Sequence, residues 1–588
     1  MERSALRHLA ERWMSADPDP ATRAELGELL AQGDRGELEL ADRFASSLEF
    51  GTAGLRGILG AGPNRMNRAV VARASWALAQ ELLASVPKAA ERGVVVGGDA
   101  RRMSRELSED TASILAGAGL RVFLSAEPVP TPFVAFAVKY LGAAGGVVVT
   151  ASHNPPEYNG YKVYWENAAQ IIPPVDARIA AAMGRAPPAA QVSRPPLDEL
   201  RGRGLVSDVP PEVLDAYFAA VRALHVRPPE PRGRARNLRV VYTPLHGVGD
   251  RFVRRALSEA GFGDVTTVPA QQKPDGTFPT VSFPNPEEPG AMDLAFALAR
   301  DTGADLVLAN DPDADRLAVA LPDGARAGGW RQLTGNEVGV LLGHYLLTEK
   351  VDTRPRVVIA SIVSSPLLGR IAASLGVRYE ETLTGFKWIA NRAIELEGQG
   401  YAFVFGFEEA LGYTVGDVVR DKDGISAAVL FAEMAFAARE GGGTPKDDLD
   451  AIARRWGAFV SSQVNVTREG ASGVAAIRGM MDRLRASPPR SVGGDEIVSV
   501  ADYDARVRAD LRSGARAALE LPRSNVLVFE LASGSRIVAR PSGTEPKAKF
   551  YFDVREDVDP GEPVERALAR ARARMSDLSS RFGQIVSS

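Results

Sequence analysis

The 588-residue chain contains no cysteine. Disulfides, thiolate nucleophiles and zinc-thiolate centres are excluded together, so any nucleophile or metal ligand has to be a hydroxyl, an imidazole or a carboxylate. The chain also lacks any apolar run of about 18 residues, the length that crosses a bilayer. Its opening, MERSALRHLAERWMSADPDP, reads as a charged amphipathic helix without the apolar stretch of a secretory signal. A cytoplasmic location with no membrane partner is the expectation. Nor is there a basic block: 70 Lys and Arg stand against 74 Asp and Glu, for a net charge of -4. With its arginines scattered, the chain carries no electrostatic footprint for nucleic acid. Small-molecule chemistry is what these absences leave.

At roughly 100 to 200 residues per domain, the length allows about three to five domains. Short Val/Ile/Leu runs alternate with stretches of helical period, as in RGVVVGGD then ELSEDTASILAGAG, or RVVYTPLHG then RFVRRALSEAG. That alternation predicts α/β units with buried strands. Four runs end in polar loops: GGVVV in TASHNP, ADLVLA in NDPDADR, YAFVFG in FEEALG, and SRIVA in RPSGTEPK. Ligands of open α/β sheets bind beyond the carboxyl ends of strands, so four such loops predict one shared cleft, one loop per domain.

Each loop has a chemical reading and a bland one. Asp311, Asp313 and Asp315 would repel one another unless a hard divalent cation sat among them; Mg²⁺ suits phosphate chemistry, and Arg316 beside them suits a phosphate partner. The alternative is an acidic surface turn, and an EF-hand is excluded because neither its Gly nor its Glu follows. Arg540 and Lys547 flank Ser542, Gly543 and Thr544, a composition for a backbone nest that clamps phosphate, or for a solvated turn. Glu408 and Glu409 follow a very apolar run and suit pairs of sugar hydroxyls, or else are acids at a helix N-terminus. Ser152 lacks the G-x-S-x-G surroundings of a hydrolase nucleophile, which favours a phosphoryl-accepting serine beside a metal over an acyl carrier. His153 by default is a turn or core histidine, and next to a phosphoryl-accepting Ser152 it is a catalytic candidate. Lys162, in NGYK, is a proton-transfer group or a charge partner for phosphoryl oxygens.

With the four loops in this order, the sequence resembles the α-D-phosphohexomutase superfamily. It is most similar to the phosphoglucomutase/phosphomannomutase branch, which also holds phosphopentomutases and a glucose 1,6-bisphosphate synthase. The resemblance spans nearly the whole chain. It implies an α/β protein of four domains around a central cleft: three related α/β domains with mixed sheets, and a smaller C-terminal α+β domain like a half of TATA-binding protein. The expected divisions are 1–210, 211–322, 323–455 and 456–588. It also implies roles. Ser152 would carry the phosphoryl group, with Mg²⁺ held by Asp311, Asp313, Asp315 and a phosphoserine oxygen, and Arg316 would contact the transferred group. Glu408 and Glu409 would take the sugar hydroxyls, while Arg540, Ser542, Gly543, Thr544 and Lys547 would clamp the phosphate that is not transferred.

Two further segments match. EFGTAGLRG (49–57) would bring Arg56 to the cleft, and TLTGFKWI (382–389) makes Lys387 a candidate base or phosphate contact. Ala410 departs from the hexose pattern, which often has Ser there. The implied activity is interconversion of a sugar 1-phosphate and 6-phosphate, glucose before mannose, through phosphoserine and a bisphosphate, with the sugar 1,6-bisphosphate as activator and the protein a monomer or homodimer. A phosphopentomutase, a glucose 1,6-bisphosphate synthase, a metal phosphatase and a non-enzymatic sugar-phosphate sensor are the alternatives.

Overall fold

The computed structural model describes residues 3–51, 54–228, 236–326, 328–350, 352–468, 470–541 and 547–587. Three successive sheets share one plan. The first has consecutive strands Val94–Gly98, Val122–Leu124, Gly145–Val149 and Tyr158–Tyr164; the second has Val240–Thr243, Val265–Thr267, Leu306–Ala309 and Ala318–Pro322; the third has Arg356–Ser361, Arg378–Thr382, Ala402–Glu408 and Gly412–Val415. In each, the spatial order is fourth, third, first, second. The first three strands run parallel, and the fourth returns antiparallel to the third. This is the expected set of three related mixed-sheet units.

The composition of the third strands explains their place. GGVVV, LVLA and AFVFGFE are buried at every residue, as parallel strands covered by helices on both faces require. Each therefore ends with its polar loop at the sheet's carboxyl edge, and the next strand turns straight back.

The second sheet continues past the expected division at 322. Trp330–Gln332 pairs antiparallel with Ala318–Pro322, so that division cuts a hairpin. Three residues carry too little alternation to be read as a strand from sequence. The third unit opens instead with helix Gly335–Glu349, fixed by a capping box between Thr334 and Glu337.

One apolar cluster runs through all three units and includes Phe133, Phe252, Leu341, Phe405 and Phe431. Helix Pro211–Ala223 lies at their junction: the Tyr217 ring meets Phe133 and Phe136 edge-on, with centroids 6.1 and 5.4 Å away, and its hydroxyl donates to Asp423 at 3.0 Å. The first three helices, Arg3–Ala16, Pro20–Ala31 and Asp34–Arg43, close over a small core of their own that includes Leu6, Leu26 and Leu40.

The C-terminal unit is an eight-stranded antiparallel sheet with helices Gly470–Ala486 and Val564–Ser587 over one face. Its other face, with Tyr503, Val528, Val538 and Tyr551, packs against Ile362, Val363 and Leu383 of the third unit. Arg536 ties the two together, donating to Glu381 at 3.0 Å and to the Ser364 carbonyl while paired with Asp553. No helix among the described residues is long and apolar enough to cross a membrane.

Phe582 centres the last core, its ring 5.8, 5.5 and 5.9 Å from those of Phe529, Phe550 and Phe552. Phe582→Ala should destabilise this unit by about 3 to 5 kcal/mol, the cost of a cavity that size. Thermal unfolding followed by hydrogen exchange in 456–587 should show these segments opening first; an unchanged melting profile would count against this core assignment.

Candidate active site

The strand Gly145–Val149 delivers Thr150 and Ser152 to the cleft under a tight backbone constraint. Ser152 has φ +53°, a left-handed conformation that an L-residue holds only when its surroundings insist. The Ser152 amide donates to Thr150 Oγ1 at 2.8 Å, and Thr150 Oγ1 donates to Asp99 at 2.6 Å. The turn thus presents the hydroxyl outward from its strand. Ser152 Oγ then reaches across to the second unit, donating to Asp311 Oδ2 at 2.8 Å, with His153 Nδ1 at 3.2 Å on its other side.

Asp311, Asp313 and Asp315 are fully buried, and one oxygen of each lies within 4.8 Å of the others. Burial, then repulsion from Asp313 and Asp315, pushes the Asp311 carboxyl well above the usual range. Burial also works against ionisation at Asp313 and Asp315, as does Asp315 at Asp313, but Lys162, together with Thr131 at Asp313 and with Lys422 and Arg316 at Asp315, holds both below the ordinary value. Lys162 Nζ lies 2.8 Å from each, and Lys422 Nζ lies 3.2 Å from Asp315. Burial opposes the Lys162 charge, yet the two aspartates raise its pKa above the lysine norm. The geometry shows Lys162 as a charge partner of both aspartates.

His153 is the opposite case. Burial, then the nearby Arg316 and Arg56, hold its imidazole well below 6.5, so it rests neutral and would hold an added proton only weakly. Its ring stacks on Phe283 at 6.1 Å. Arg56 Nη1 donates to Asn154 at 3.0 Å, while its buried Nε has no hydrogen-bond partner among the described residues. Arg316 leans toward the third unit, with its amide on Asp311 at 3.0 Å and Nη1 on the Ala410 carbonyl at 3.0 Å.

Glu408 ends the strand Ala402–Glu408 and Glu409 opens the turn to Gly412–Val415, so neither lies at a helix N-terminus. Glu408 accepts the Gly385 amide at 2.7 Å, and Glu409 N donates to Ser364 Oγ at 3.0 Å. Burial, reinforced by Glu408, lifts the Glu409 carboxyl to about 7. Glu409 lines a cavity of 340 Å³ with Glu287, Thr334, Ser461 and Tyr551, where the second, third and fourth units meet. Arg540 stands beside the Tyr551 hydroxyl, which also feels Glu409. Lys547 opens the following strand, Lys547–Glu556. Ser542, Gly543 and Thr544 lie outside the described residues.

Lys387 does not join the aspartates. It sits in the first turn of helix Phe386–Gly398 with Nζ 3.4 Å from the Gly51 carbonyl and 3.9 Å from Asp176. Burial lowers its pKa. Sequence reasoning missed Lys422, Thr131 and Arg101. Thr131 donates to Asp313 at 2.6 Å, and Arg101 to the Ser152 carbonyl at 2.6 Å. Lys422 hides in the mixed-charge string RDKDG, which reads as solvated; GGDAR, by contrast, follows a Val run as the four loops do and was open to the same criterion.

The residues fit a hard divalent cation. Asp313 Oδ1 and Asp315 Oδ1 are buried without a hydrogen-bond partner among the described residues, an expensive state that an oxygen-seeking ion relieves. Metal ligands from one unit, a hydroxyl from another and carboxylates from a third define a phosphoryl-transfer enzyme on a repeated α/β frame. Models of the phosphoglucomutase/phosphomannomutase α/β/α domains I, II and III match residues 47–188, 215–324 and 334–454. A "Probable phosphomannomutase" of Haemophilus influenzae is 42% identical over 83% of this chain and 93% of its own. A "Probable phosphoribomutase" of Schizosaccharomyces pombe is 38% identical over 94% of each. In fold, the open form of Paramecium parafusin, a phosphoglucomutase, aligns with a TM-score of 0.65 at 17% identity, covering 92% of this chain and 97% of that one. The chain belongs to the phosphoglucomutase/phosphomannomutase family of the α-D-phosphohexomutase superfamily. It is a phosphomutase, an isomerase working by phosphoryl transfer, and not the sensor considered as an alternative.

A Glu409 carboxyl at about 7 predicts a pH effect. Ionised, it accepts sugar hydroxyls more strongly, so the apparent KM should fall as pH rises from about 6 to about 8. Glu409→Gln should raise KM by about tenfold at pH 8 and flatten that part of the profile; profiles that superimpose would remove Glu409 from the sugar contact.

Proposed function

We propose that the chain interconverts sugar 1-phosphates and 6-phosphates, glucose first, through phospho-Ser152 and a bisphosphate intermediate. The observation carrying this reading is the Ser152 hydroxyl 2.8 Å from a buried metal-competent aspartate contributed by another unit. A phosphoryl group on that hydroxyl would stand against the carboxylate triplet with Arg316 and Arg56 alongside. Mg²⁺, held by Asp311, Asp313, Asp315 and a phosphoserine oxygen, would supply charge stabilisation to the transferring group. Phosphate-monoester cleavage is so slow uncatalysed that the site has to contribute on the order of 20 kcal/mol through such charge and positioning.

In the first half-reaction the free hydroxyl of the sugar phosphate attacks phosphorus and the P–Oγ bond of Ser152 breaks. The attacking hydroxyl loses its proton and Ser152 Oγ gains one; neutral His153, 3.2 Å from Oγ, is the group we assign to that transfer. The bisphosphate then turns in the cleft, and the mirror-image step returns its other phosphoryl group to Ser152. Throughout, Glu408 and Glu409 orient the ring, while Arg540, Lys547 and the loop between them hold the idle phosphate. Lys162, joined at Asp315 by Lys422, keeps Asp313 and Asp315 ionised. Lys387 has no role in this scheme. The bisphosphate would also act as activator by recharging any Ser152 that has lost its phosphoryl group.

A pentose phosphate is the second reading. A relative named for phosphoribose matches over nine tenths of both chains, and Ala410 offers a carbonyl to Arg316 where hexose mutases often have a serine.

³¹P NMR with Mg²⁺, a trace of glucose 1,6-bisphosphate and glucose, mannose or ribose 1-phosphate in parallel tubes tests the reading. Conversion to the 6- or 5-phosphate is expected, with relative rates naming the sugar; release of inorganic phosphate alone would replace the mutase by a phosphatase, and steady accumulation of bisphosphate by a synthase. Ser152→Ala should cut turnover on the order of 10⁴-fold or more, and near-parental rates would refute it as the carrier. Arg540→Ala should raise KM steeply and slow transfer too, because distant phosphate binding serves orientation; unchanged kinetics would remove the clamp.

A further inference from the structure

Ser152 and Asp311 come from different units, yet the transfer needs them in register to a fraction of an ångström. Two sets of contacts hold them, and both lead to one segment of the second unit, residues 271–280.

On the Ser152 side the holder is Arg101. Its side chain is wholly buried. The guanidinium donates to the carbonyls of Ser152 at 2.6 Å, Pro155 at 2.8 Å and Tyr158 at 3.2 Å, and to that of Asn154. It thus ties down the strained turn from beneath. Its own charge partner is Asp99, which also anchors Thr150. The flat face of the guanidinium is covered from the other unit: the Phe278 ring lies 4.9 Å from it. Phe278 is buried and holds φ +47°, a conformation that costs an aromatic residue energy unless its surroundings require it. Nearby, Gly276 runs so close to Arg101 that an added Cβ would lie 2.5 Å from the Ala100 carbonyl and 2.7 Å from the Arg101 Cα.

On the Asp311 side, the same segment is laced to the strand end that supports the metal loop. Gln271 is fully buried; its carboxamide oxygen accepts from Thr243 at 2.6 Å and its nitrogen donates to Thr280 at 2.9 Å. His246 Nε2 lies 2.8 Å from Thr280 Oγ1, and the Asp275 amide donates to the His246 carbonyl at 2.9 Å. The next residues press on Pro312 itself: Val248 N donates to its carbonyl at 2.9 Å, and a Cβ on Gly247 would sit 2.4 Å from its Cα.

We infer that segment 271–280 is a cross-domain gauge for the reaction, with Phe278 a positioning residue that acts through Arg101 to set the Ser152 turn against the metal loop. The inference rests on the reading of Ser152 as phosphoryl carrier. A ring over a buried guanidinium restricts both its plane and its hydration, so four carbonyl contacts keep one geometry. Without the ring, the turn drifts and water gains access to the phosphoserine. Water's oxygen would then bond to phosphorus as the P–Oγ bond breaks, Oγ would take a proton, and the products would be free Ser152 and inorganic phosphate.

The test compares the parent with Phe278→Ala, Phe278→Leu, which keeps bulk without the π face, and Phe278→Tyr, which keeps the face. Three readouts serve: kcat and KM with glucose 1,6-bisphosphate present, inorganic phosphate released from the ³²P-labelled phosphoenzyme, and hydrogen exchange of a peptide spanning 150–158. Phe278→Ala and Phe278→Leu should lower kcat by about 10- to 100-fold, as a misplacement near 1 Å does, with KM within about twofold. Both should speed phosphoenzyme hydrolysis and exchange in 150–158, and Phe278→Tyr should restore all three. Exchange in 150–158 that stays parental in Phe278→Ala overturns the gauge, whatever the activity. So does a kcat loss shared equally by Phe278→Tyr, which marks a packing defect. A parent that takes up no label on Ser152 defeats the carrier reading itself, while a labelled parent with indifferent variants defeats only the gauge.

Discussion

Three carboxylates buried side by side are the constraint on which the rest of the molecule turns. At an effective dielectric near 20, two charges 4 Å apart repel by about 4 kcal/mol, and Asp311, Asp313 and Asp315 are buried away from the solvent surface. Among the described residues, the cation their own unit places within 4 Å of them is Arg316. The other cations come from outside: Lys162 on a strand of the first unit and Lys422 from the third. The second unit's metal loop is thus electrically incomplete by itself, and closing the three units around it completes the charge balance. The apolar cluster that runs through all three units packs them together around it.

The fourth unit joins on different terms. It has its own core, and it meets the third unit through a modest apolar face and the Arg536 contacts with Glu381 and Ser364. Ser364 also receives the Glu409 amide, so the carboxylate assigned to the sugar and the arginine that docks the fourth unit share one residue. In the proposed scheme the transfer chemistry falls to the three units that share one apolar cluster, and recognition of the distant phosphate to the unit with a core of its own.

The loops bearing Ser152, Asp311 and Glu408 were legible because each follows an apolar run too regular to be anything but a buried strand. The threefold repetition of the sheets, by contrast, is invisible in the residues: strand order depends on contacts between segments of quite different sequence. Trp330–Gln332 is too short to leave a pattern. Lys422 lies in a charged string whose burial only the third unit's packing reveals. Lys387 carried a family-like motif yet faces Asp176, since its position in the first turn of a helix, and not its motif, sets where it points. The acids at 408 and 409 looked equally suited to a helix start, and the return strand Gly412–Val415 is what excludes it.

The antiparallel return after each third strand has a consequence for how such proteins change over time. A loop whose two ends sit in neighbouring strands about 4.8 Å apart is a closed hairpin, and doubling its length costs only about 0.6 kcal/mol of closure entropy. Insertions or exchanges there leave the parallel strands, their crossovers and the buried cluster untouched. New sugar preferences can accumulate at the hairpin tips of such a protein while the frame that carries the transfer chemistry stays as it is.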